Sequence, residues 1–182
     1  MRSLLLILFS ATAVLGQGTI LWDEGVNGPF SESSGTPTSL SPLQFGTNSI
    51  IGSTAIEPSG GNWIVHPDYF DLQVPNGSIV TAVYLQINKP NVWHWVGDTT
   101  FANEVGFIQN PASGELLSQW GLSQIPTGNY GMYLANLDEQ ATTSIANYRL
   151  DFFVQTIPEP STFALALAGA TMLVVWRRKK RP

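Results

Sequence analysis

Between Gln17 and Ile157 the chain consists of short runs rich in Val, Ile, Tyr, Phe and Trp, cut at close intervals by Gly, Pro, Ser, Thr and Asn. No stripe of 3.6-residue period continues for a useful length, so no helix here could bury one face against a core. Alternation at period two is the surviving signal, and it predicts an all-β domain. In the clearest runs Phe70, Leu72 and Val74 share one face while Tyr69, Asp71 and Gln73 share the other. Ile79, Val83, Leu85 and Ile87 are expected inward, with Val80, Tyr84 and Gln86 outward. Tyr130, Met132 and Leu134 form a further inward face, and Tyr148, Leu150, Phe152 and Val154 lie on the strand that closes the domain. Further strands are expected at Thr19–Trp22, Leu43–Phe45, Asn48–Ile51, Trp63–Val65 and Val105–Ile108. Pro75-Asn76-Gly77-Ser78 has the chemistry of a hairpin turn. Eight to ten short strands over this length fit a two-sheet Greek-key or jelly-roll β-sandwich.

The two ends follow other rules. Arg2 precedes an apolar stretch from Leu4 that runs through Val14 and Leu15 into small residues, the pattern of a secretory signal peptide. Val14 and Gly16 place the cut before Gln17, and Ala11 with Ala13 fits as well. At the other end an apolar run from Phe163 to Trp176 is followed at once by Arg177, Arg178, Lys179, Lys180 and Arg181. Counted from Ser161, a helix of that length spans about 24 Å against a hydrocarbon core of about 30 Å. Length alone leaves the run ambiguous, and the flanks decide it. Pro158 and Pro160 stop a helix from extending backwards, Trp176 suits the interface, and the basic cluster favours the cytoplasmic side. The expected division is a signal peptide at 1–16, a β-sandwich domain at 17–157 with 17–42 partly loop, and a tail at 158–182. Within the tail, 158–161 is a motif, 162–176 a transmembrane helix and 177–182 a basic cytoplasmic end.

The body between the ends carries twelve acidic residues against Lys89 and Arg149, a net charge of −10. A field of that sign argues against nucleic acid as a partner and permits neutral polymers such as sugars. The chain has no Cys. Disulfides, thiolate ligands and cysteine nucleophiles are thereby excluded.

Pro158-Glu159-Pro160-Ser161, a short apolar stretch and an Arg-rich end, in that order, resemble the PEP-CTERM sorting-signal family. The resemblance implies recognition by an exosortase, a membrane cysteine protease, after export. Pro158, Glu159, Pro160 and Ser161 would then be recognition residues of a substrate, and Arg177 to Arg181 the determinants of membrane topology. It covers the tail only. The body resembles the bacterial pre-peptidase C-terminal type of β-sandwich. The matching residues are Phe45-Gly46-Thr47-Asn48 through Ser53, Asp68-Tyr69-Phe70-Asp71 through Gly77, Pro126-Thr127-Gly128-Asn129-Tyr130, and Tyr148-Arg149-Leu150-Asp151-Phe152. Domains of that type are accessory modules, which implies no catalytic residues here.

Direct signs of chemistry are few. His66 and His94 are the two histidines, and no nucleophile elbow, Walker loop or His-Glu-x-x-His occurs. His66 precedes Pro67 at a strand end and reads first as a turn residue. Twelve body carboxylates offer many accidental pairs, none of which stands out as a glycosidase pair. The densest unusual cluster is Asn91 to Asp98, where Trp93 and Trp95 share a face of an extended segment. They would either fill the core, with His94 outside, or form a sugar-stacking platform, since indole faces cover the C–H face of a pyranose. The carboxylates of Asp68, Asp71, Asp98 and Glu104 read as solvated surface groups, and neither metal nor cofactor is expected. The leading expectation is an exported, non-catalytic cell-envelope or extracellular-matrix protein, inner-membrane-anchored as a precursor, with exosortase and signal peptidase as partners. A carbohydrate-binding module for exopolysaccharide is the alternative, and an exported hydrolase the third reading.

Overall fold

The computed structural model describes residues 18–140, 142–157 and 169–170. The expected signal peptide and, apart from Gly169 and Ala170, the expected tail lie outside the described residues. Between residues 18 and 157 the described residues form eleven strands and two single-turn helices: β1 (Thr19–Asp23), α1 (Glu24–Asn27), β2 (Thr38–Ser39), β3 (Gly46–Ser59), β4 (Asn62–His66), β5 (Asp68–Val74), β6 (Ser78–Ile87), β7 (Val92–Gly97), β8 (Glu104–Gln109), β9 (Gly114–Glu115), α2 (Leu116–Gln119), β10 (Gly128–Asn136) and β11 (Ser144–Thr156). They form two sheets. The first runs β1-β3-β11-β6-β9 with β4 paired to β3, and the second runs β2-β5-β10-β7-β8.

The pairing has a simple logic. β3 pairs with β11, β5 with β10, β6 with β9 and β7 with β8, as in one long nested hairpin. That hairpin is rolled up by two further pairings, β11 with β6 and β10 with β7, which is the connectivity of a jelly roll. Alternation dictates what faces inward. Phe70, Leu72 and Val74 from one sheet meet Val83, Leu85, Leu150, Phe152 and Val154 from the other, all buried. Tyr148 reaches across the core so that its hydroxyl donates to Asp68 Oδ2 at 2.8 Å. Gly52 is required beneath it, because a Cβ there would lie 2.5 Å from the Tyr148 hydroxyl.

Several local expectations are revised. Val80 faces inward with Val83, because a bulge carries the partners of Phe153 and Val154 from Ala82 to Val80 and reverses the alternation. Pro75 to Ser78 turns a corner between sheets rather than closing a hairpin, since β5 and β6 belong to different sheets. Ser78 N donates to Pro75 O at 3.1 Å and Gly77 takes φ 72°, as a type II turn demands of its third residue. The true tight hairpin joins β3 and β4 through Gly60 and Gly61, both at positive φ. Leu43–Phe45 is not a strand, although Leu43 N bonds Gln73 O at 2.9 Å. No helix among the described residues is long and apolar enough to cross a membrane.

Candidate functional site

β7 reverses one expectation. Val92, His94 and Val96 point into the sandwich, and Trp93 and Trp95 lie on the outer face of the second sheet. The reason is register: His94 stands opposite Leu134 and Trp95 opposite Tyr133, and the inward face of β10 is fixed by Met132 and Leu134. His94 is fully buried and stacked on Trp120, with ring centroids 5.0 Å apart. Neither His94 ring nitrogen has a hydrogen-bond partner, and burial pulls its pKa down to about 3. His94 is a neutral core aromatic.

On the outer face, Tyr69, Tyr133, Trp95 and Phe107 stand directly opposite one another across β5, β10, β7 and β8. Tyr69 stacks on Tyr133 at 5.3 Å, and Trp95 lies 6.2 Å from Tyr133. Trp93 stands one pair further along β7 and meets Phe107 edge-on at 5.6 Å. Two glycines make room for the row. A Cβ at Gly97 would lie 2.4 Å from the Trp95 indole, and one at Gly131 would lie 2.9 Å from the Phe101 ring.

Phe101 comes from the loop between β7 and β8, stacks on Trp95 at 5.3 Å and meets Tyr69 edge-on at 5.2 Å. Its φ of 57° is unusual for a bulky side chain. Asp98 over-determines the loop that imposes this conformation. Its carboxylate accepts from the Asn103 side chain, the Thr100 hydroxyl at 2.8 Å, Ala102 N at 3.0 Å and Thr100 N at 3.1 Å. Those donors, Asn103 first, hold the Asp98 carboxyl well below the usual carboxylate range. The row, Phe101, Ser34 and Glu104 line an open cavity of about 350 Å³. Trp95 is 7 % exposed and serves as its floor, while Phe107 is 37 % exposed. The accessible aromatic surface is therefore supplied by Tyr69, Tyr133 and Phe107 rather than by a free Trp93–Trp95 pair. Ring faces beside a carboxylate acceptor suit the mixed C–H and hydroxyl surface of a sugar.

A second concavity of about 400 Å³ is lined by Glu24, Glu32, Ser53, His66 and Asp68, with Phe30 and Pro29. Its polar groups are committed to one another. Glu24 accepts from Phe30 N at 2.9 Å, Ser53 N at 2.5 Å and the Ser53 hydroxyl at 3.0 Å. His66 Nδ1 meets Glu32 at 2.9 Å and its Nε2 lies 3.5 Å from Glu57, contacts that raise the His66 pKa. His66 is the last residue of β4, at the strand end expected before Pro67. Burial, then the Glu24 charge, pushes Asp68 up to about 8. Ser53 is bound to Glu24 and not to His66, so the groups do not compose a Ser-His-acid relay. Among the described residues no three His, Cys, Asp or Glu side chains are grouped to hold a metal ion.

Of the residues singled out in the sequence, Trp93 and Trp95 are brought to one face. Pro158, Glu159, Pro160, Ser161 and Arg177 to Arg181 lie outside the described residues. Sequence reasoning missed Phe101, Phe107 and Tyr133 as parts of one surface. The available signal was an aromatic residue at an outward position of several strands, but only the register aligns them.

The class defined by these observations is a two-sheet, mostly β protein with an aromatic outer face. Residues 156–179 match the family model of the PEP-CTERM protein-sorting motif. The chain thus carries a sorting signal of the kind processed by exosortase, a membrane protein, and found on secreted proteins with a membrane-anchored precursor. No curated protein matches the chain in sequence. The crystal structure of Salmonella Typhimurium PliG, a periplasmic lysozyme inhibitor of g-type lysozyme, aligns over 66% of this chain and 100% of that one. Identity is 14% and the TM-score 0.32, too slight a likeness to carry an argument.

Proposed function

We propose that the protein is an exported, non-catalytic envelope or extracellular-matrix component whose body binds neutral polysaccharide on the outer face of the β5-β10-β7-β8 sheet. The observation that carries this reading is the in-register row Tyr69, Tyr133, Trp95 and Phe107 above a cavity of about 350 Å³. The acidic body supports a neutral polymer over an anionic one, which like charge would repel. The tying of Glu24, His66 and Asp68 into internal bonds supports the absence of catalysis at the second concavity. In this reading signal peptidase cuts before Gln17, Pro158 to Ser161 are the residues exosortase recognises, the 162–176 segment anchors the precursor and Arg177 to Arg181 fix its orientation.

Affinity electrophoresis of the secreted body through gels cast with a neutral glucan, a neutral galactomannan or an anionic polymer tests the binding half. Retardation by a neutral polymer is expected, weakened about tenfold by Tyr133→Ala. Unchanged mobility in every neutral gel refutes the sugar site and leaves a purely structural envelope role. Replacing Pro158-Glu159-Pro160 by three alanines tests the sorting half, since a larger membrane-bound precursor should then accumulate in a host carrying the cognate protease.

A further inference from the structure

The body ends almost where the sorting motif begins. Thr156 is still paired with Ser78, and Ile157 N donates to Gly77 O at 2.7 Å, immediately before Pro158. Four residues, 158–161, separate that hydrogen bond from the apolar segment, and four residues reach at most about 14 Å. An enzyme that grips Pro158 to Ser161 beside a membrane must therefore meet the folded end of the sandwich.

That end is built from a few linked segments. The Thr127 hydroxyl donates to Pro75 O at 2.8 Å, Val80 and Ile125 exchange backbone bonds, and Val154 stands opposite Gly46. The start of β1 is there too, since Thr19 pairs with Asn48. Residues 41–47, 75–80, 123–129 and 152–157 contain no Asp, Glu, Lys or Arg, in a body of net charge −10. Phe45 is 58 % exposed and Ile157 45 % exposed at this end. Acidic groups facing the membrane would be repelled by anionic lipid and by any acidic rim on a membrane enzyme. The segments that frame the tail's exit are without them, and the neighbouring loop after β7 carries Asp98, whose carboxylate is taken up by Thr100, Ala102 and Asn103 of that loop.

We propose that this uncharged patch around the tail's exit, centred on Phe45, Asn76 and Ile157, is a docking surface for the membrane protease that processes the tail, so that the folded body contributes to recognition beyond the motif. The inference rests on the reading of Pro158 to Ser161 as that protease's recognition residues.

The test uses the full-length chain in a host carrying a tagged cognate protease. A photo-crosslinking phenylalanine analogue at position 45 should give an adduct with the tagged protease, and the same probe at Tyr84, away from this end, should not. The double variant Phe45→Glu with Asn76→Glu should mature about tenfold more slowly. An uncharged eight-residue Gly-Ser spacer inserted between Ile157 and Pro158 should remove the difference between charged and parent chains. Equal maturation of charged and parent chains, slowing that persists with the spacer, or adducts to lipid alone would each overturn the docking surface. The triple-alanine replacement of Pro158-Glu159-Pro160 separates the two failures. If it blocks maturation while the charged variant matures normally, docking alone fails, and if it too matures normally, the sorting reading itself fails.

Discussion

The outer faces of the two sheets are built from the same alternation and end up chemically different. On the first sheet the outward positions of β3 and β11 are mixed: Arg149 bonds Asp151 at 2.9 Å and Ser49 at 3.0 Å, and Ser49 bonds Asp151 at 2.6 Å, while Ile145 and Phe153 stand exposed on the same face. The aromatic contact on this face is the isolated edge-on pair of Tyr84 on β6 and Phe153 on β11, 5.6 Å apart. On the second sheet four consecutive strands each place an aromatic ring in one row. Folding needs only one buried face per sheet, and the first sheet shows that an outer face of scattered polar and apolar residues, without an aromatic row, suffices. The aromatic row is therefore surplus to the fold, and its loop-borne Phe101 and paired glycines show that it is assembled.

The sharpest way to break this comparison is to damage what both sheets share. Phe70 and Phe152 are fully buried on opposite inner faces, so Phe70→Ala or Phe152→Ala should each cost about 3–5 kcal/mol in urea unfolding of a chain ending at residue 157. A loss below about 1 kcal/mol at both would contradict the assigned inner faces. A smaller and more local effect is expected at Gly97. A Cβ there meets the Asn103 carbonyl at 2.2 Å as well as the Trp95 ring, so Gly97→Ala should cost about 1–3 kcal/mol and displace the cavity floor. The signature to check is a change in Trp fluorescence together with weaker glycan retardation.

Much of the architecture was legible because period two survives in single strands. Phe70, Leu72, Val83, Leu85, Leu150, Phe152 and Val154 are all buried as alternation requires. Val80 was misplaced because a bulge is set by the partner strand, which local pattern does not reveal. The Asn91–Asp98 cluster stood out, but its orientation depended on which face of β10 was inward. Val92, His94 and Val96 face inward because Met132 and Leu134 fix the inner face of β10, a pairing that alternation within 91–98 does not reveal. Tyr69 and Phe107 are far apart in sequence, so the row they share with Tyr133 and Trp95 exists only through register.

The space between the sheets should respond to pH without involving either outer face. Asp68, raised to about 8 when folded, contributes stability that is full below its ordinary pKa of 3.8 and is lost as pH rises toward 8. His94, lowered to about 3, contributes stability that is full above 6.5 and is lost as pH falls. Between about pH 4 and 6.5 the two slopes oppose, each about 1.4 kcal/mol per pH unit at most, and should leave a plateau. From 6.5 to 8 Asp68 acts without that opposition, so stability should decline, with the raised pKa of His66 adding a little in the same direction. Asp68→Asn should convert the plateau into a rise that levels off near pH 6.5. Urea midpoints from pH 4 to 9 would show it, and a variant profile parallel to the parent's would place the Asp68 proton elsewhere.

The smallest effect on stability should be the most informative about function. Tyr133 is half-buried on the outer face, and its ring stacks on Tyr69 without entering the core. Tyr133→Ala should therefore cost about 1 kcal/mol or less in unfolding while abolishing most glycan retardation. The control is Phe153→Ala on the other outer face, which removes a more exposed ring from the Tyr84 pair and should likewise cost about 1 kcal/mol or less. Because that pair lies on the opposite sheet from the cavity, retardation should be unchanged. If the two substitutions weaken binding equally, retardation reflects general stickiness of exposed rings, and the difference between the outer faces has no functional content. If only Tyr133→Ala does so, at matched stability, the aromatic row is a site in its own right and the mixed outer face of the first sheet is what a sheet looks like when folding is its sole demand.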